Sequence, residues 1–342
     1  MIKKNYTLKE IANLAEVSRG TVDRVIHNRG KVSTEARRKV EQVLDDIDYQ
    51  PNLIAQSLKS HKNYVIGVLI PNDQEGEYWQ QCAHGVRKAE VELRQFGISL
   101  LYFRYTSTRN DFEKQLSKAI NKGLDAILMV PIYTDSLTHL YDRLEDLQIP
   151  IALLNTELTD RKHKIFLGQA NTKSGRLAGQ LMDYLVKDMD QGTLLVMHLG
   201  IKSGHSLHLE EKENGFKAYF AEKYENPKIE VVSSSDDTAI TNLPIDLSEV
   251  SGIFVTTSKI HLLSNLLKQY PKIKTIGYDL IPKNIENLIK GKIDILLNQK
   301  PEAQAYRGIT ALSDHLLYNK DIPNRKLFPV DIVVSENVDE FI

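Results

Sequence analysis

The sequence predicts an α/β protein with two doubly wound parallel-sheet lobes, preceded by an all-α helix-turn-helix head and a short hinge helix. Three observations lead to this fold class. Apolar strands alternate with helical segments from Tyr64 onwards, a second such series follows a helix at about 172–188, and the first fifty residues contain three short capped helices. Repeated βα units with short loops favour parallel sheets that are covered by helices. Two such series favour two lobes.

The head is expected to begin with a capping box, in which Thr7 covers a free backbone N–H and Glu10 reaches back to it. Ser18 follows a tight turn as the next N-cap, and Ser33 caps a third helix. Two short helices joined by a turn and braced by a third form the helix-turn-helix arrangement found in DNA-binding proteins. A small helical bundle without a nucleic-acid partner is the alternative that these caps leave open.

The body is expected to contain nine strands. Those of the first series are predicted at 64–70, 99–104, 126–130 and 151–155, separated by helices at about 78–95, 109–121 and 136–147. Those of the second series are predicted at 194–199, 229–233, 252–256, 275–279 and 294–298. Continuous apolar runs of this kind are typical of strands buried on both faces of a parallel sheet.

The charge is distributed unevenly along the chain. Residues 1–62 carry 12 Lys and Arg against 8 Asp and Glu, a net of +4, whereas the remaining residues carry a net of −5. A small basic head on a larger acidic body indicates an anionic polymer as the partner of the head. The single cysteine, Cys82, fits a reducing compartment. The first residues lack the apolar segment of a secretory signal, so we expect a cytoplasmic protein without a membrane span.

The run TLKEIANLAEVSRGTVDRVIHNRGKVSTEARRKVEQVLDDIDYQPNLIAQSL closely resembles the DNA-binding head and hinge of the lactose repressor family. Three features carry the resemblance: TLKEIA with VS..TV.RV after it, then KVS, and then YQPN followed by Ala55 and Leu58. The body resembles the sugar-binding core of the same family, which is similar to type I periplasmic binding proteins. The resemblance implies a head at 1–50, a hinge helix and linker at 51–62, and a core at 63–342. The core would comprise an N-lobe at about 63–160 and 300–327 and a C-lobe at about 161–299 and 328–342.

In this family the second helix lies in the major groove, so the resemblance puts Arg19, Gly20 and Arg24 where base edges are read. Arginine suits guanine because two N–H groups of its guanidinium can donate to guanine O6 and N7 at once. Asp23 stands where the family usually has a serine. It either pairs with Arg19 at i,i+4, which we prefer, or accepts a hydrogen bond from a cytosine amine. The positions implied for DNA contact are Thr7, Leu8, Ser18, Arg19, Gly20, Thr21, Asp23, Arg24, His27, Lys31, Ser33, Tyr49, Asn52, Ala55 and Leu58.

The hinge helix is too short to persist alone in water. The resemblance implies that it forms when two copies of the chain meet on DNA, and that Leu58 of each copy enters the minor groove as a wedge. Packing of Leu58 against the body is the alternative. The expected partner is therefore a near-palindromic double-stranded operator, bound by a homodimer.

Polar and aromatic side chains follow the carboxyl ends of the predicted strands, where sheets of this type bind their ligands. Aromatic faces together with carboxamides and carboxylates suit a polyhydroxylated ligand. The candidate ligand-binding residues are Asn72, Tyr78, Trp79, Arg104, Asn155, His208, Glu210, Thr257, Asp279 and Gln299. The resemblance implies that Trp79, Asp279 and Gln299 hold a sugar.

Glu210 occupies a position where the resemblance predicts a different residue. Sugar-binding members of the family usually carry an arginine five residues before the dipeptide Gly215-Phe216, and here that position holds Glu210. The carboxylate of Glu210 only accepts hydrogen bonds, whereas the guanidinium of arginine has five N–H donors. The exchange favours a neutral or amine-bearing sugar, or a related polyol, over an anionic one. An exposed acid at the start of a helix is the alternative for Glu210.

The sequence contains none of the motifs that would indicate an enzyme or a cofactor. A dinucleotide fingerprint, a P-loop, a nucleophile elbow and a zinc-protease motif are all missing. The pair His205-x-x-His208 lacks the further ligand that a metal site needs. We therefore expect a transcriptional regulator, with repression as its mode, whose operator affinity a small polyhydroxylated ligand controls. A DNA-binding regulator or architectural protein that ignores small molecules is the alternative.

Overall fold

The computed structural model describes residues 6–26, 30–47, 49, 62–72, 76–106, 108–131, 137–158, 160–186, 192–200, 207–234 and 245–342. The chain divides into two compact units, Met1–Lys62 and Asn63–Ile342. Within the described residues, no helix is long and apolar enough to cross a membrane.

The described part of the first unit contains three helices: α1 (Leu8–Leu14), α2 (Arg19–Ile26) and α3 (Thr34–Asp46). Their predicted N-caps are confirmed. The Thr7 hydroxyl accepts a hydrogen bond from the Glu10 N–H. The Glu10 carboxylate in turn accepts one from the Thr7 N–H, at 2.8 Å. The hydroxyls of Ser18 and Ser33 each accept a hydrogen bond from the backbone N–H three residues later.

Packing holds these three helices together, since helices of 7, 8 and 13 residues are marginal in isolation. The buried apolar side chains of the unit are Ile11, Ala12, Ala15, Val22, Val25 and Val40. They come from all three helices, so each helix turns one face inward. On its other side, α2 exposes Arg19, Gly20 and Arg24.

The second unit contains two six-stranded sheets. The strands of the first sheet are β1 (Tyr64–Pro71), β2 (Ile98–Tyr105), β3 (Ala126–Met129), β4 (Ile151–Leu154), β5 (Ile165–Gly168) and β11 (Arg325–Leu327). Their order is β11-β5-β4-β3-β1-β2, and all neighbours are parallel. The helices of this first lobe are α4 (Glu77–Leu93), α5 (Arg109–Ile120), α6 (Thr138–Asp146) and α11 (Pro301–Tyr318), with a 3-10 turn at Arg94–Phe96.

The strands of the second sheet are β6 (Thr193–Leu199), β7 (Ile229–Ser234), β8 (Val250–Val255), β9 (Lys274–Tyr278), β10 (Ile295–Asn298) and β12 (Asp331–Val333). Their order is β12-β10-β9-β8-β6-β7, and only the pairing of β12 with β10 is antiparallel. The helices of this second lobe are α7 (Asn171–Leu185), α8 (Leu207–Lys223), α9 (Ser264–Leu267) and α10 (Pro282–Ile289). Its described residues also form 3-10 turns at Leu247–Glu249, Ile260–Leu263 and Val338–Phe341.

The predicted fold class is confirmed, and so are the nine predicted strands of the body. Sequence reasoning missed β5, β11 and β12, which are only three or four residues long and interrupt the regular βα series. Because β5 pairs with β4, the first lobe continues to Gly168. The predicted lobe boundary at about 160 is therefore too early in the chain.

Glycines allow two pairs of helices to pack closely. A Cβ atom added at Gly85 of α4 would lie 2.1 Å from the backbone oxygen of Glu302 in α11. In the second lobe, a Cβ at Gly175 of α7 would lie 1.9 Å from the backbone oxygen of Lys212 in α8, and one at Gly215 would lie 2.0 Å from that of Thr172. Reciprocal glycines thus set the position of α8, and with it the position of Lys212.

Candidate ligand site between the lobes

Three buried polar side chains meet at the carboxyl edge of the second sheet, and we call them the Asp279–Gln299–Lys212 cluster. Asp279 directly follows β9, Gln299 directly follows β10, and Lys212 lies in the second turn of α8. The Gln299 amide Nε2 donates to both carboxylate oxygens of Asp279, at 3.0 and 2.9 Å. The Gln299 Oε1 accepts a hydrogen bond from Lys212 Nζ at 3.1 Å. One carboxamide therefore bridges an anion and a cation.

The Lys212 ammonium has further partners inside the protein. It donates to the backbone oxygen of Thr256 at 3.3 Å, and its Nζ lies 3.8 Å from the ring centroid of Tyr278. An ammonium has three donors, and an aromatic face attracts a cation. The side chain is only 2% exposed, yet its hydrogen-bonding capacity is met.

Burial dominates the electrostatics of this cluster. It raises the pKa of Asp279 above its usual range, while the positive charge of Lys212 and hydrogen bonds from Gln299 oppose the rise. Burial lowers the pKa of Lys212, and the negative charge of Asp279 opposes that shift. Each charge is therefore tolerated because the other is present. Burial, followed by the charge of Lys212, also lowers the pKa of His208 to about 3, so His208 is neutral at pH 7.

A second hydrogen-bond network holds Thr256, whose backbone oxygen accepts from Lys212. The buried His198 of β6 hydrogen-bonds through Nδ1 to the Thr256 hydroxyl at 2.6 Å and through Nε2 to the Glu213 carboxylate at 2.7 Å. The other oxygen of Glu213 accepts from Lys217 at 2.6 Å. Since Thr256 presents its backbone oxygen to Lys212, the histidine fixes one of the groups that hold the lysine.

The first lobe presents aromatic side chains to the same region. Tyr78 lies in the first turn of α4, and its hydroxyl donates to Asn155 Oδ1 at 3.4 Å. Its ring meets that of Trp79 edge to face, with centroids 4.8 Å apart. Burial raises the pKa of Tyr78 well above its usual range, and nearby Cys82 and Asp279 raise it further. Asp279 thus acts electrostatically on a residue of the opposite lobe.

The two lobes are also joined directly near this point. The Gln81 Nε2 of α4 donates to the backbone oxygen of Leu280, which follows Asp279, at 2.9 Å. Arg104 lies close enough to lower the pKa of the buried Cys82, although burial and Asp279 raise that pKa more strongly. The predicted residues Tyr78, Arg104 and Asp279 therefore all influence the pKa of one buried thiol.

Other predicted ligand residues are placed less centrally. The Thr257 hydroxyl donates to the backbone oxygen of Leu199 at 3.1 Å. Asn72, Trp79, Asn155, His208 and Glu210 are partly buried. His205 lies outside the described residues. Among those that are described, no group of three or more His, Cys, Asp or Glu side chains could hold a metal ion.

Lys212 is the residue that the sequence-based site assignment left out. That assignment placed Glu210 as the new polar group of α8, whereas the side chain of α8 that contacts Gln299 is the cation two residues later. A signal for this was available in the sequence. Lys212 shares one helical face with Leu209 and Phe216, both of which are buried, so a lysine occupies an inward position.

In the first unit, α2 exposes the residues that were expected to read bases. Arg19, Gly20 and Arg24 are exposed, and Asp23 is partly buried. A Cβ at Gly20 would meet only the Ser18 hydroxyl, at an ordinary 3.8 Å, so packing within the head does not require glycine there.

The remaining predicted DNA contacts fall into three groups. Thr7, Ser18 and Ser33 are helix caps. Lys31 is exposed, and Leu8, Thr21 and Tyr49 are partly buried. His27, Asn52, Ala55 and Leu58 lie outside the described residues.

Comparison with known families agrees with both units. Residues 7–52 match the bacterial regulatory proteins of the lacI family, and residues 66–320 match the periplasmic binding protein domain. The chain belongs to the lacI family of bacterial regulatory proteins. The resemblance drawn from the sequence is thereby confirmed, and this lacI-family chain is a DNA-binding transcriptional regulator with a core of the sugar-binding type.

Similar proteins extend over most of this lacI-family chain. The ribose operon repressor of Lactococcus lactis is 27% identical over 283 residues, which cover 80% of each chain. Catabolite control protein A of Staphylococcus epidermidis is 25% identical over 346 residues, which cover 89% of this chain and 99% of that protein. The crystal structure of a putative LacI transcriptional regulator from Bacteroides fragilis superposes with a TM-score of 0.75 and 26% identity, over 82% of this chain and 99% of that one.

Replacing Lys212 with Met should destabilise the second unit, because Asp279 would remain as a buried and uncompensated charge. We expect the free energy of unfolding to fall by about 3–5 kcal/mol at pH 8. A carboxyl whose folded-state pKa lies above its unfolded value takes up a proton on folding, so the loss should shrink as the pH falls towards 5. Urea unfolding at both pH values measures this. Lys272→Met, which changes an exposed lysine of the same lobe, is the matched control. An equal loss of unfolding free energy at pH 5 and pH 8 would contradict the role of Lys212 as the charge that compensates Asp279.

Proposed function

We propose that this chain represses transcription as a homodimer on a near-palindromic operator, and that a neutral or amine-bearing sugar, or a related polyol, binds between the lobes and controls operator affinity. The observation that carries the proposal is the Asp279–Gln299–Lys212 cluster. We propose that its carboxylate and carboxamide groups face the aromatic side chains of the other lobe, which is supported by the effect of Asp279 on Tyr78 and by the contact of Tyr78 with Trp79. Polar groups facing aromatic rings suit a ligand with both hydroxyls and C–H faces.

The charge of the cluster supports a ligand without negative charge. Lys212 is balanced by Asp279 and engaged by Gln299, Thr256 and Tyr278, so it offers no surplus positive charge to an anion. His208 is neutral because its pKa is lowered to about 3. Glu210 would oppose an anionic ligand and can accept a hydrogen bond from a donor-rich one.

Each proposed ligand contact has a distinct role. Asp279 and Gln299 bind hydroxyls from the second lobe, and Asn155 does so from the first. Trp79 stacks on the ring of the ligand. Because these residues belong to two lobes, a bound ligand would favour the arrangement in which the lobes meet, and the operator affinity would follow that arrangement.

The names of similar proteins support this choice of ligand class. The ribose operon repressor and catabolite control protein A are both regulators, and they match 80% and 89% of this chain. The fold of the core is shared with a solute-binding protein of Agrobacterium radiobacter solved with D-arabinose, at a TM-score of 0.68 and 21% identity. We propose a role in regulation without catalysis, in the cytoplasm where the operator is found.

For the head, we propose that Arg19 and Arg24 read base edges and that Gly20 lets α2 approach them closely. Asp23 would hold the Arg19 guanidinium in place. The hinge residues Asn52 and Leu58 would complete the contact in the minor groove.

Calorimetry should show that the full chain binds a neutral sugar and discriminates against glucuronate and glucose 6-phosphate. Asp279→Asn and Glu210→Ala should each weaken binding of that sugar, by about 1.5–3 kcal/mol for a hydrogen bond to a charged group. Glu230→Ala, which changes an exposed acid in β7 of the same lobe, serves as the control. Tight binding of either anion, or full affinity in Glu210→Ala, would contradict the proposed ligand class.

Selection of operator half-sites from randomised DNA should give the same preferred base for the wild type and for Asp23→Asn, with a modest loss of affinity. This follows if Asp23 only orders Arg19. Asp45→Asn, an exposed change in α3, is the control. If Asp23 instead accepts from cytosine, discrimination at one base pair would drop by about 1–3 kcal/mol.

A further inference from the structure

Two buried glutamines lie where the chain crosses between the lobes of the core, far along the chain from the hinge helix at 51–62. We call them the hinge glutamines. Gln169 follows β5, and Gln304 lies in the first turn of α11. They are 4% and 1% exposed. Within the described part of the chain, both amide atoms of Gln169 and the Oε1 of Gln304 lack a hydrogen-bond partner. Buried polar groups are nearly always paired, so three orphaned atoms in one region indicate a partner from outside the chain.

The surrounding packing brings the hinge glutamines to the same place. A Cβ at Gly308 of α11 would lie 2.7 Å from Leu128 and 3.4 Å from Leu167, so this face of α11 rests on β3 and β5. Gln304 precedes Gly308 by one helical turn, on the same face. Gln169 follows Leu167 by two residues, which in extended chain points to the same side of the sheet. Both carboxamides therefore lie just beyond one contact, at the carboxyl edge of β5.

That edge adjoins the ligand site. The Gln304 Nε2 donates to the backbone oxygen of Gln299 at 2.6 Å, so it lies directly behind a member of the Asp279–Gln299–Lys212 cluster. On the first lobe, the Asn155 N–H donates to the backbone oxygen of Leu167 at 2.9 Å, which places Asn155 beside the end of β5. The hinge glutamines thus connect the two halves of the proposed pocket.

We propose that Gln169 and Gln304 form a subsite at the floor of the cleft, which binds one hydroxyl group of the sugar held by the Asp279–Gln299–Lys212 cluster. This inference rests on the proposed function. A hydroxyl has one donor and two acceptor positions, and the orphaned atoms comprise one N–H₂ group and two carbonyl oxygens. The hydroxyl can accept from the Gln169 N–H₂ group and donate to one of the two carbonyl oxygens, and as a neutral group it adds no charge to the pocket.

Burial does not separate the hinge glutamines from the pocket residues. Asp279 and Gln299 are 1% and 6% exposed in the same arrangement of the lobes. A ligand that reaches these two when the lobes open can reach the hinge glutamines as well. The subsite would give strong selection, because a site built to hydrogen-bond a hydroxyl rejects an analogue that lacks it.

Calorimetry on the full chain tests the subsite with D-ribose, D-xylose, D-arabinose, D-glucose, D-galactose and ribitol, and then with deoxy analogues of the tightest binder. Gln169→Met is the decisive variant, because Gln169 has no hydrogen bond through its amide within the described structure. Gln304→Met is the second variant, and Gln269→Met, an exposed change, is the control.

We expect Gln169→Met and Gln304→Met to weaken binding on the order of tenfold or more, and one deoxy analogue to lose a similar factor in the wild type. In the two variants that analogue should lose little further, since the same hydrogen bond is already gone. Melting temperatures establish that each variant is folded, and Gln169→Leu replaces Gln169→Met if the latter is not.

Two other results would overturn the subsite, and they differ in what they say of the proposed function. If the variants keep the wild-type affinity while their melting temperatures rise, the hinge glutamines hold only water, and sugar binding itself stands. If the wild type binds none of the probes, the sugar-binding proposal fails and the subsite fails with it.

Discussion

The burial of two opposite charges at one point is the constraint on which the site depends. Asp279 and Lys212 come from different elements, and neither would remain charged there alone, because removal of a charge from water costs several kcal/mol per ion. Gln299 joins them, so three segments that are distant in sequence must meet with correct geometry. The remaining features of the second lobe serve this meeting. His198 orders Thr256, Thr256 accepts from Lys212, and glycines on α7 and α8 let the helix approach closely enough for the lysine to reach inward.

The same point is where the two lobes come together. Asp279 acts on Tyr78 across the cleft, Gln81 donates to the residue after Asp279, and Gln304 braces the backbone of Gln299 as the chain enters the first lobe. We propose that a ligand bound at this cluster also contacts groups of the first lobe. Ligand binding would then be linked to lobe position by direct contacts, which is the physical requirement for control of a second site.

Much of this structure could be predicted from the sequence, because its regular elements have strong local signals. Capping residues marked the helices of the head, and continuous apolar runs marked the nine predicted strands. The strands β11 and β12 had no such signal, because only one of their six residues is buried. β5 was missed because it follows β4 with no helix between them in the described chain. Asp279 and Gln299 could be proposed as site residues because they follow strands. Lys212 was missed because its inward direction depends on how α8 packs on α7, and the hinge glutamines were missed because their unpaired atoms exist only in the folded chain.

The central claim is that ligand and operator binding are coupled in one protein, and reciprocal titration measures this most directly. Operator affinity is determined by fluorescence anisotropy with and without the saturating neutral sugar, and sugar affinity is determined by calorimetry with and without operator. The account predicts that both affinities change by the same factor, as linkage requires. An operator affinity that stays constant from zero to saturating sugar, in a chain that binds both partners, would contradict it.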